Sequence, residues 1–251
     1  MPDPRLSEKI SRLRAAIARA SRLCVLTGAG ASAESGVPVY RGNEGLYAAW
    51  SAADMATPEG FARDPEKVWA WYHDRRRQLA ALKPNAGHLA LAALQKDRLA
   101  RLGPDSFRLV TQNVDGLHQA AGSTGVIEVH GSLWQIRCTG CAAVTDAPGP
   151  LDAVPHCPGC GAVCRPHIVW FGEMLPPEVW SAAVEAASAC DVFISVGTSA
   201  VVQPVASLVH LAADAGALVA EINLEETPNS RWLDLSLLGK SGDILPALVD
   251  S

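Results

Sequence analysis

The fold is decided by Gly28-Ala29-Gly30-Ala31-Ser32-Ala33-Glu34-Ser35-Gly36-Val37-Pro38-Val39-Tyr40-Arg41-Gly42, which follows the apolar run Leu23-Cys24-Val25-Leu26. The apolar run predicts a buried parallel strand, and a strand that enters a G-x-G-x-x-A turn is typical of dinucleotide-binding folds. In such a turn Gly28 allows the tight bend, Gly30 lets the backbone approach a pyrophosphate, and Ala33 lets the next helix pack closely. Glu34, Gly36 and Pro38 end that helix early, which indicates that this segment does more than hold a cofactor.

Composition limits the classes of function. The chain has 251 residues, 49% of them apolar, and a net charge of -5, which argues against a protein that binds nucleic acid by neutralising phosphates. A run of about 18 apolar residues, which a membrane span requires, is absent from the sequence. The N-terminal segment predicts an amphipathic helix and has no signal-peptide pattern. We therefore expect a cytoplasmic protein whose cysteines stay reduced.

Strand-like and helical patterns alternate along much of the chain. Helical patterns at Pro177–Ala189 and Pro204–Ala213 lie between the strand-like runs, and the alternation predicts an α/β fold with a Rossmann-like, doubly wound parallel sheet. Residues 43–104 and 136–165 interrupt it. We expect them to form a smaller lobe, from a helical insertion and a cysteine-rich ribbon, beside a dinucleotide-binding domain of residues 1–42, 105–135 and 166–251. The strand-like runs are Leu23–Thr27, Phe107–Thr111, Val126–Val129, His167–Trp170, Asp191–Val196 and Ala217–Ile222.

Four cysteines form two C-x2-C pairs separated by fifteen residues: Cys138 and Cys141, then Cys157 and Cys160. This spacing is typical of a tetrahedral four-thiolate zinc site, and four thiolates leave no open position, so the zinc is expected to be structural. Two disulfides are the alternative, which a reducing compartment disfavours. The connector between the pairs has no Lys or Arg, which disfavours a nucleic-acid-binding ribbon.

Polar residues follow several predicted strands, where an open α/β sheet binds its ligands. Gln112, Asn113 and Asp115 follow the second run and can hydrogen-bond ribose hydroxyls and an amide, although N-x-D-G is equally typical of a turn. His130 follows the next run and has the chemistry of a general base. Gly197, Thr198 and Ser199 can bind phosphate, and the segment Glu221–Glu225 can hold a ribose.

Together these motifs resemble those of the sirtuins, NAD-dependent protein-lysine deacylases, in the family's order and over nearly the whole chain. The resemblance rests on GAGASAESGVPVYRG, TQNVDGLH, VIEVHGS, the cysteine pairs, IVWFGE, GTS and the closing Gly239–Asp243. It implies that His130 is the general base, that the cysteines bind structural zinc, and that acyl-lysine proteins are the substrates. The implied NAD-binding residues are Gly28, Ala29, Gly30, Ala31, Ser32, Glu34, Pro38, Tyr40, Arg41, Gln112, Asn113, Val114, Asp115, Gly197, Thr198, Ser199, Asn223, Leu224, Glu225 and Ser241. Val169, Phe171, Gly172 and Glu173 would pair with the substrate backbone as an added strand. Val39, Tyr40, Tyr47 and Ser241 depart from the usual family residues.

A helical pattern around Val68–Leu79 indicates the acyl group. Its apolar stripe passes through position 75, where Arg75 stands one turn from Tyr72. A buried arginine is costly unless an anion meets it, and the alternative is that Arg75 reaches out to solvent. Arg76 and Arg77 are expected on a solvated face. Tyr72-x-x-Arg75 resembles the motif of sirtuins that remove succinyl, malonyl and glutaryl groups, and small Ala56 would leave room for a long acyl chain.

The expected function is NAD-dependent removal of succinyl or malonyl, and also acetyl, groups from lysine, giving nicotinamide and O-acyl-ADP-ribose. A deacetylase-dominant sirtuin and a mono-ADP-ribosyltransferase are the alternatives on the same fold. A conventional dehydrogenase would need an acidic residue after a second strand, for which Asp54 is the nearest candidate. A non-catalytic zinc-ribbon module would not need His130. No membrane or nucleic-acid partner is expected.

Overall fold

A computed structural model describes residues 4–38 and 52–249 of the chain. Its helices are α1 (Pro4–Arg19), α2 (Ala29–Ala33), α3 (Ala52–Met55), α4 (Pro58–Arg63), α5 (Pro65–Ala80), α6 (Ala86–Leu102), α7 (Leu117–Ala120), α8 (Pro177–Ser188), α9 (Leu208–Asp214) and α10 (Ser241–Val249). Its strands are β1 (Leu23–Thr27), β2 (Phe107–Thr111), β3 (Ile127–Glu128), β4 (Gly131–Cys138), β5 (Val144–Asp146), β6 (Cys164–Ile168), β7 (Val192–Val196), β8 (Leu218–Asn223) and β9 (Leu235–Leu238). Among these helices none has the length and apolar character to cross a membrane.

The larger sheet has six parallel strands in the order β3-β2-β1-β7-β8-β9, with helices on both faces. Every residue of β1 is buried, and its side chains alternate between two cores. Leu23 and Val25 join the core formed with α1, α6 and α10, whereas Cys24 and Leu26 join the core formed with α8 and α9. A strand covered on both faces reads as a continuous apolar run, which is why the sequence identifies β1. The predicted doubly wound α/β fold is confirmed.

A smaller antiparallel sheet has the strand order β5-β4-β6. The prediction that His167–Trp170 is a strand of the parallel sheet is wrong, because the strand there is Cys164–Ile168 and pairs with β4. Both β4 and β6 extend beyond the predicted ribbon of residues 136–165. A third core joins this sheet to α4 and α5. The division of the chain into the predicted domains stays a prediction.

One buried arginine fixes the helix that leads into β1. Arg98 on α6 is 1% exposed, and its guanidinium donates to the carbonyls of Ile17 (2.9 Å), Ala20 (2.8 Å) and Ser106 (3.0 Å). The last carbonyls of a helix have no partner within the helix, and a cation there interacts favourably with the helix dipole. Arg98 therefore terminates α1 and holds it against the start of β2.

Candidate active site at the carboxyl edge of the sheet

The ends of four parallel strands converge at one edge of the larger sheet. The backbone N–H of Gly28 donates to the Val196 carbonyl (2.9 Å), that of Gln112 to Thr27 (3.0 Å), and that of Gly197 to Ile222 (2.9 Å). These bonds place the segments that follow β1, β2, β7 and β8 next to one another. Ligand-binding residues are expected at such an edge in open α/β sheets.

The glycine turn after β1 packs directly against the end of β7. The N–H of Gly30 donates to the Gly197 carbonyl (2.8 Å), and a Cβ built on Gly30 would lie 2.8 Å from the Gly197 Cα. Gly30 is therefore required by this backbone contact as well as by any approach of a pyrophosphate. The short helix α2 begins at Ala29, buries Ala31 and Ser32, and ends at Ala33, as the sequence predicts.

Glu34 caps a distant helix. Its Oε1 accepts the N–H of Gly242 (2.8 Å) and the hydroxyl of Ser241 (3.2 Å) at the start of α10. A carboxylate at a helix N-terminus satisfies unpaired N–H groups and the helix dipole. This contact joins two of the residues assigned to NAD, Glu34 and Ser241. Pro38 is exposed, and Tyr40, Arg41, Val39 and Tyr47 lie outside the described residues.

A buried polar cluster joins α2 to the segment after β2. The Ser32 hydroxyl donates to Oδ2 of Asp115 (2.7 Å), and Nδ2 of Asn113 donates to the Ser32 Oγ (3.0 Å) and the Gly28 carbonyl (3.0 Å). Asp115 also accepts the N–H of Leu117 (2.9 Å), so the N-x-D-G stretch forms a turn and a buried network at once. The Val114 carbonyl accepts the N–H of Leu133 (3.0 Å), which links the segment to β4.

His130 stands between β3 and β4 with a defined tautomer. Its Nδ1 lies 3.0 Å from the Gln112 carbonyl. A carbonyl only accepts hydrogen bonds, so Nδ1 carries the proton and Nε2 of the neutral ring is left as a base. Burial lowers the pKa of His130 below its ordinary value, although the Gln112 carbonyl opposes that effect. Gly131, which follows, has φ +76°, and a Cβ there would lie 2.1 Å from the His167 carbonyl oxygen.

Two further buried histidines lie behind this cluster, and the sequence analysis did not assign them. His118 Nε2 contacts Thr27 Oγ1 (2.8 Å), which in turn donates to Thr111 Oγ1 (2.8 Å). His88 lies 3.3 Å from the Ser32 hydroxyl, and its ring is in edge contact with that of His118 at 4.8 Å. Burial lowers the pKa of His118 to about 3, so the ring is neutral. The TQNVDGLH motif contains His118, but nothing in the spacing of the motif indicates that the His118 side chain links the ends of β1 and β2.

The loops after β7 and β8 are tied to each other. Asn223 donates from Nδ2 to the Thr198 carbonyl (3.0 Å), and the N–H of Leu224 donates to the Asn223 side chain (3.0 Å). Thr198 is buried, whereas Ser199, Leu224 and Glu225 are exposed. The bond between Asn223 and Thr198 keeps two of the predicted NAD segments at a fixed separation.

The four predicted metal ligands converge at the small sheet. The sulfurs of Cys138, Cys141, Cys157 and Cys160 all lie within 4.8 Å of one another, with Cys138–Cys160 at 3.4 Å and Cys141–Cys157 at 3.6 Å. Zinc–sulfur bonds of about 2.3 Å in a tetrahedron separate the sulfurs by about 3.8 Å. The N–H groups of Gly140 and Cys141 also point at Cys138 Sγ (3.3 Å each), and bonds of this kind lower the pKa of that thiol to about 6. The cluster therefore fits a structural zinc, as predicted.

The segment predicted to pair with a substrate backbone is itself held by the protein. The N–H of Val169 donates to the His130 carbonyl (2.9 Å), and that of Phe171 to the Ala56 carbonyl (2.9 Å). Phe171 and Gly172 are exposed. Glu173, in contrast, accepts hydrogen bonds from both terminal nitrogens of the Arg165 guanidinium (2.6 and 2.9 Å). A cavity of about 310 Å3 lies beside the segment, lined in part by Gly131, Arg137, His167, Val169 and Glu173.

Two neighbouring arginines of α5 are both buried. Arg75 is 6% exposed on the predicted stripe with Val68, Trp71, Tyr72 and Leu79. The prediction that Arg76 faces solvent is wrong: it is 0% exposed and donates to the carbonyls of Leu133, Ala147 and Gly149. Arg77 is exposed, as expected.

Asp54, the residue that a dehydrogenase would use to hold its ribose, is unsuitable for that role. It lies on the short helix α3 and forms a surface ion pair with Arg63.

Comparison with known proteins decides the family. A family model described as "Sir2 family" matches residues 28–204, which is more than half of the chain. The chain belongs to the Sir2 family. This Sir2 protein is 48% identical to "NAD-dependent protein deacylase 2" of Pyrobaculum aerophilum, over 92% of this chain and 91% of the relative. It is 38% identical to "NAD-dependent protein deacylase sirtuin-5, mitochondrial" of Canis lupus familiaris, over 96% of this chain and 85% of the relative. A solved Sir2 homolog–NAD complex superposes with a TM-score of 0.87 at 45% identity, over 95% of this chain and 92% of the chain in that complex.

Proposed function

We propose that this Sir2 protein is an NAD-dependent protein-lysine deacylase that removes succinyl and malonyl groups, and also acetyl groups, from lysine. Family membership and the activities for which its relatives are named support the deacylase activity. The choice of acyl group rests on one observation about this chain, the burial of Arg75.

Arg75 is a buried cation that needs an anion. Its Nη1 atom is buried, and no hydrogen-bond acceptor reaches it among the residues that the structure describes. Its guanidinium carbon lies 5.4 Å from the centroid of the Trp71 ring. An unpaired buried charge costs several kcal/mol, whereas a carboxylate can bind an arginine with two parallel hydrogen bonds. The distal carboxylate of a succinyl or malonyl group would supply that anion, and an acetyl group would not.

The proposed chemistry needs a base and a fixed geometry. When bound, NAD supplies the bond between nicotinamide and ribose that breaks as the acyl oxygen attacks. His130 holds its proton on Nδ1 through the Gln112 carbonyl. Its Nε2 would therefore serve as the base that takes a proton from a ribose hydroxyl of bound NAD. We assign the ribose and carboxamide contacts to Gln112, Asn113, Val114 and Asp115. The buried bonds of Asn113 and Asp115 would hold these groups in place before the substrate arrives.

We assign the remaining NAD contacts to the glycine turn, to Gly197–Ser199 and to Asn223–Glu225, with Ser241 near the adenine. Substrates would be acylated proteins that lie along Val169–Glu173, with the acyl chain beside Ala56, which is 4% exposed. A cytoplasmic location stays a prediction.

The test is a comparison of peptide substrates. Succinyl-, malonyl- and acetyl-lysine peptides are incubated with the protein and NAD, and products are followed by mass spectrometry. We expect free lysine, nicotinamide and O-acyl-ADP-ribose from the acidic acyl groups, and we expect Arg75→Met to abolish desuccinylation while deacetylation persists. Arg77→Met, an exposed arginine on the same helix, is the matched control. Equal loss of both activities in Arg75→Met would refute the acyl assignment.

Other outcomes identify the alternatives. Deacetylation that greatly exceeds desuccinylation in the unmodified protein would indicate a deacetylase-dominant sirtuin. Transfer of label from NAD onto the protein target would indicate a mono-ADP-ribosyltransferase.

A further inference from the structure

Trp170, at the centre of the IVWFGE motif, contacts the hydroxyl of Tyr72. The Trp170 side chain is 3% exposed, and its indole N–H donates to the Tyr72 oxygen at 2.8 Å. The two rings are close to parallel, 29° apart, with their centroids separated by 6.4 Å. Tyr72 lies three residues before Arg75 on α5, so the two side chains are on the same face of the helix.

This hydrogen bond determines the direction of the Tyr72 proton. An indole N–H can only donate, so the Tyr72 oxygen must accept at that position. The single hydroxyl proton therefore points away from Trp170 and is directed toward a different acceptor. A carboxylate only accepts hydrogen bonds, whereas the methyl group of an acetyl neither donates nor accepts them. A tyrosine held as a donor thus matches an acidic acyl group.

Trp170 is itself fixed from three sides. The guanidinium carbon of Arg165 lies 3.4 Å from the Trp170 ring centroid, and the Phe61 ring lies 5.4 Å away. Glu173 accepts the backbone N–H of Trp170 (2.8 Å) together with both nitrogens of Arg165. A cation over an indole face is a favourable contact that also restricts the ring. The indole N–H is therefore aimed at Tyr72 before any substrate binds.

We propose that Trp170 is a positioning residue for acyl selectivity, which orients the Tyr72 hydroxyl as a donor toward the distal carboxylate of an acidic acyl group. This inference rests on the proposed function and extends it to a residue that acts through Tyr72. It accounts for a tryptophan at this position in chemical terms, because a phenylalanine would keep an aromatic ring here but has no N–H to donate.

The test uses Trp170→Phe and reads selectivity. We expect the ratio of kcat/KM for succinyl-lysine over acetyl-lysine peptides to fall about five- to tenfold, the effect of one hydrogen bond. The loss should appear mainly in KM. The ratio for butyryl-lysine over acetyl-lysine should stay unchanged, because a butyryl group has the succinyl chain length but no carboxylate. Tyr72→Phe should produce a similar fall, and adding Trp170→Phe to it should change the ratio no further.

Trp69→Phe is the matched control. Trp69 also donates its indole N–H, to the Cys164 carbonyl (2.8 Å), and is 0% exposed. Its replacement should alter stability but leave the ratio unchanged. The inference would be overturned if Trp170→Phe left the ratio unchanged, or if the effects of Trp170→Phe and Tyr72→Phe on the ratio were independent. The proposed function would still stand in either case, provided that desuccinylation depends on Arg75. If Trp170→Phe fails to fold, Tyr72→Phe alone still decides, because an unchanged ratio there overturns it. Absence of desuccinylation by the unmodified protein would overturn both proposals.

Discussion

Replacement of Arg76 by methionine should destabilise this protein strongly, although the residue contacts no proposed substrate. Arg76 is 0% exposed, and its guanidinium donates to three carbonyls: those of Leu133 on β4, Ala147 and Gly149. Its guanidinium carbon also lies 5.2 Å from the Trp134 ring centroid. Methionine keeps the apolar stem and removes every donor.

The magnitude follows from these contacts. Four hydrogen bonds join the guanidinium to these three carbonyls, and each buried carbonyl that loses its donor costs about 1 kcal/mol or more. The variant should therefore lose about 3 kcal/mol of unfolding free energy. For a chain of this size such a loss lowers the Tm by roughly 6–12 °C.

The assay is thermal and urea denaturation of the zinc-loaded protein, with Arg77→Met as control. Arg77 is the next residue, its side chain is 54% exposed, and it pairs only with Asp74 at the surface among the described residues. Its replacement should cost no more than about 0.5 kcal/mol. Ala147 and Gly149 lie between the two cysteine pairs, so Arg76→Met should also release zinc faster to a chelator. A difference between the two variants of less than about 0.5 kcal/mol would refute this account of Arg76.

Two pH-dependent predictions concern the proposed base, His130, and the nearby carboxyl group of Glu128. Since burial lowers the pKa of His130, neutral imidazole persists into more acidic solution, and the acidic limb of the kcat/KM profile should lie below about 6.5; a limb at or above that value contradicts the prediction. Burial, with a smaller contribution from Asp115, raises the pKa of Glu128 to about 7. The folded state then holds this proton more firmly than the unfolded chain, so the contribution of Glu128 to stability falls as the pH rises from about 4.5 through 7. Glu128→Gln should gain stability over the unmodified protein across that window in urea titrations, and a difference independent of pH would show the assignment to be wrong.

The larger sheet was predictable because its strands carry their own signal. The apolar runs at β1, β2, β7 and β8 are buried on both faces, and such runs are distinctive in a sequence. The predicted ligand-binding residues follow from the same pattern, since the residues after parallel strands meet at one edge. The carboxyl edge of the sheet could therefore be located without coordinates.

The smaller sheet was not predictable in the same way. The segment at 167–170 has strand character, but the sequence does not indicate which sheet a strand joins. In the structure β6 begins earlier, at Cys164, and pairs with β4 in antiparallel register through Cys138 opposite Cys164. The first predicted metal ligand, Cys138, is the last residue of β4, so the cysteine cluster lies at one end of this pairing. Strand β9 was also missed, since Leu235–Leu238 is too short to display a period.

Arg75 and Arg76 show why burial alone does not identify a binding site. Helical periodicity singled out Arg75 and placed Arg76 in solvent, because the stripe rule assumes that a charged residue off the stripe is hydrated. Arg76 is nevertheless the more buried of the two, since β4 and the ribbon connector bring carbonyls to it from 57 to 73 residues away along the chain. No local pattern on α5 could predict those acceptors. Arg76 meets acceptors with both terminal nitrogens, and so needs no anion, whereas the buried Nη1 of Arg75 meets none in the described part of the chain. Of these two adjacent buried cations, Arg75 is therefore the one that we propose binds an anionic ligand.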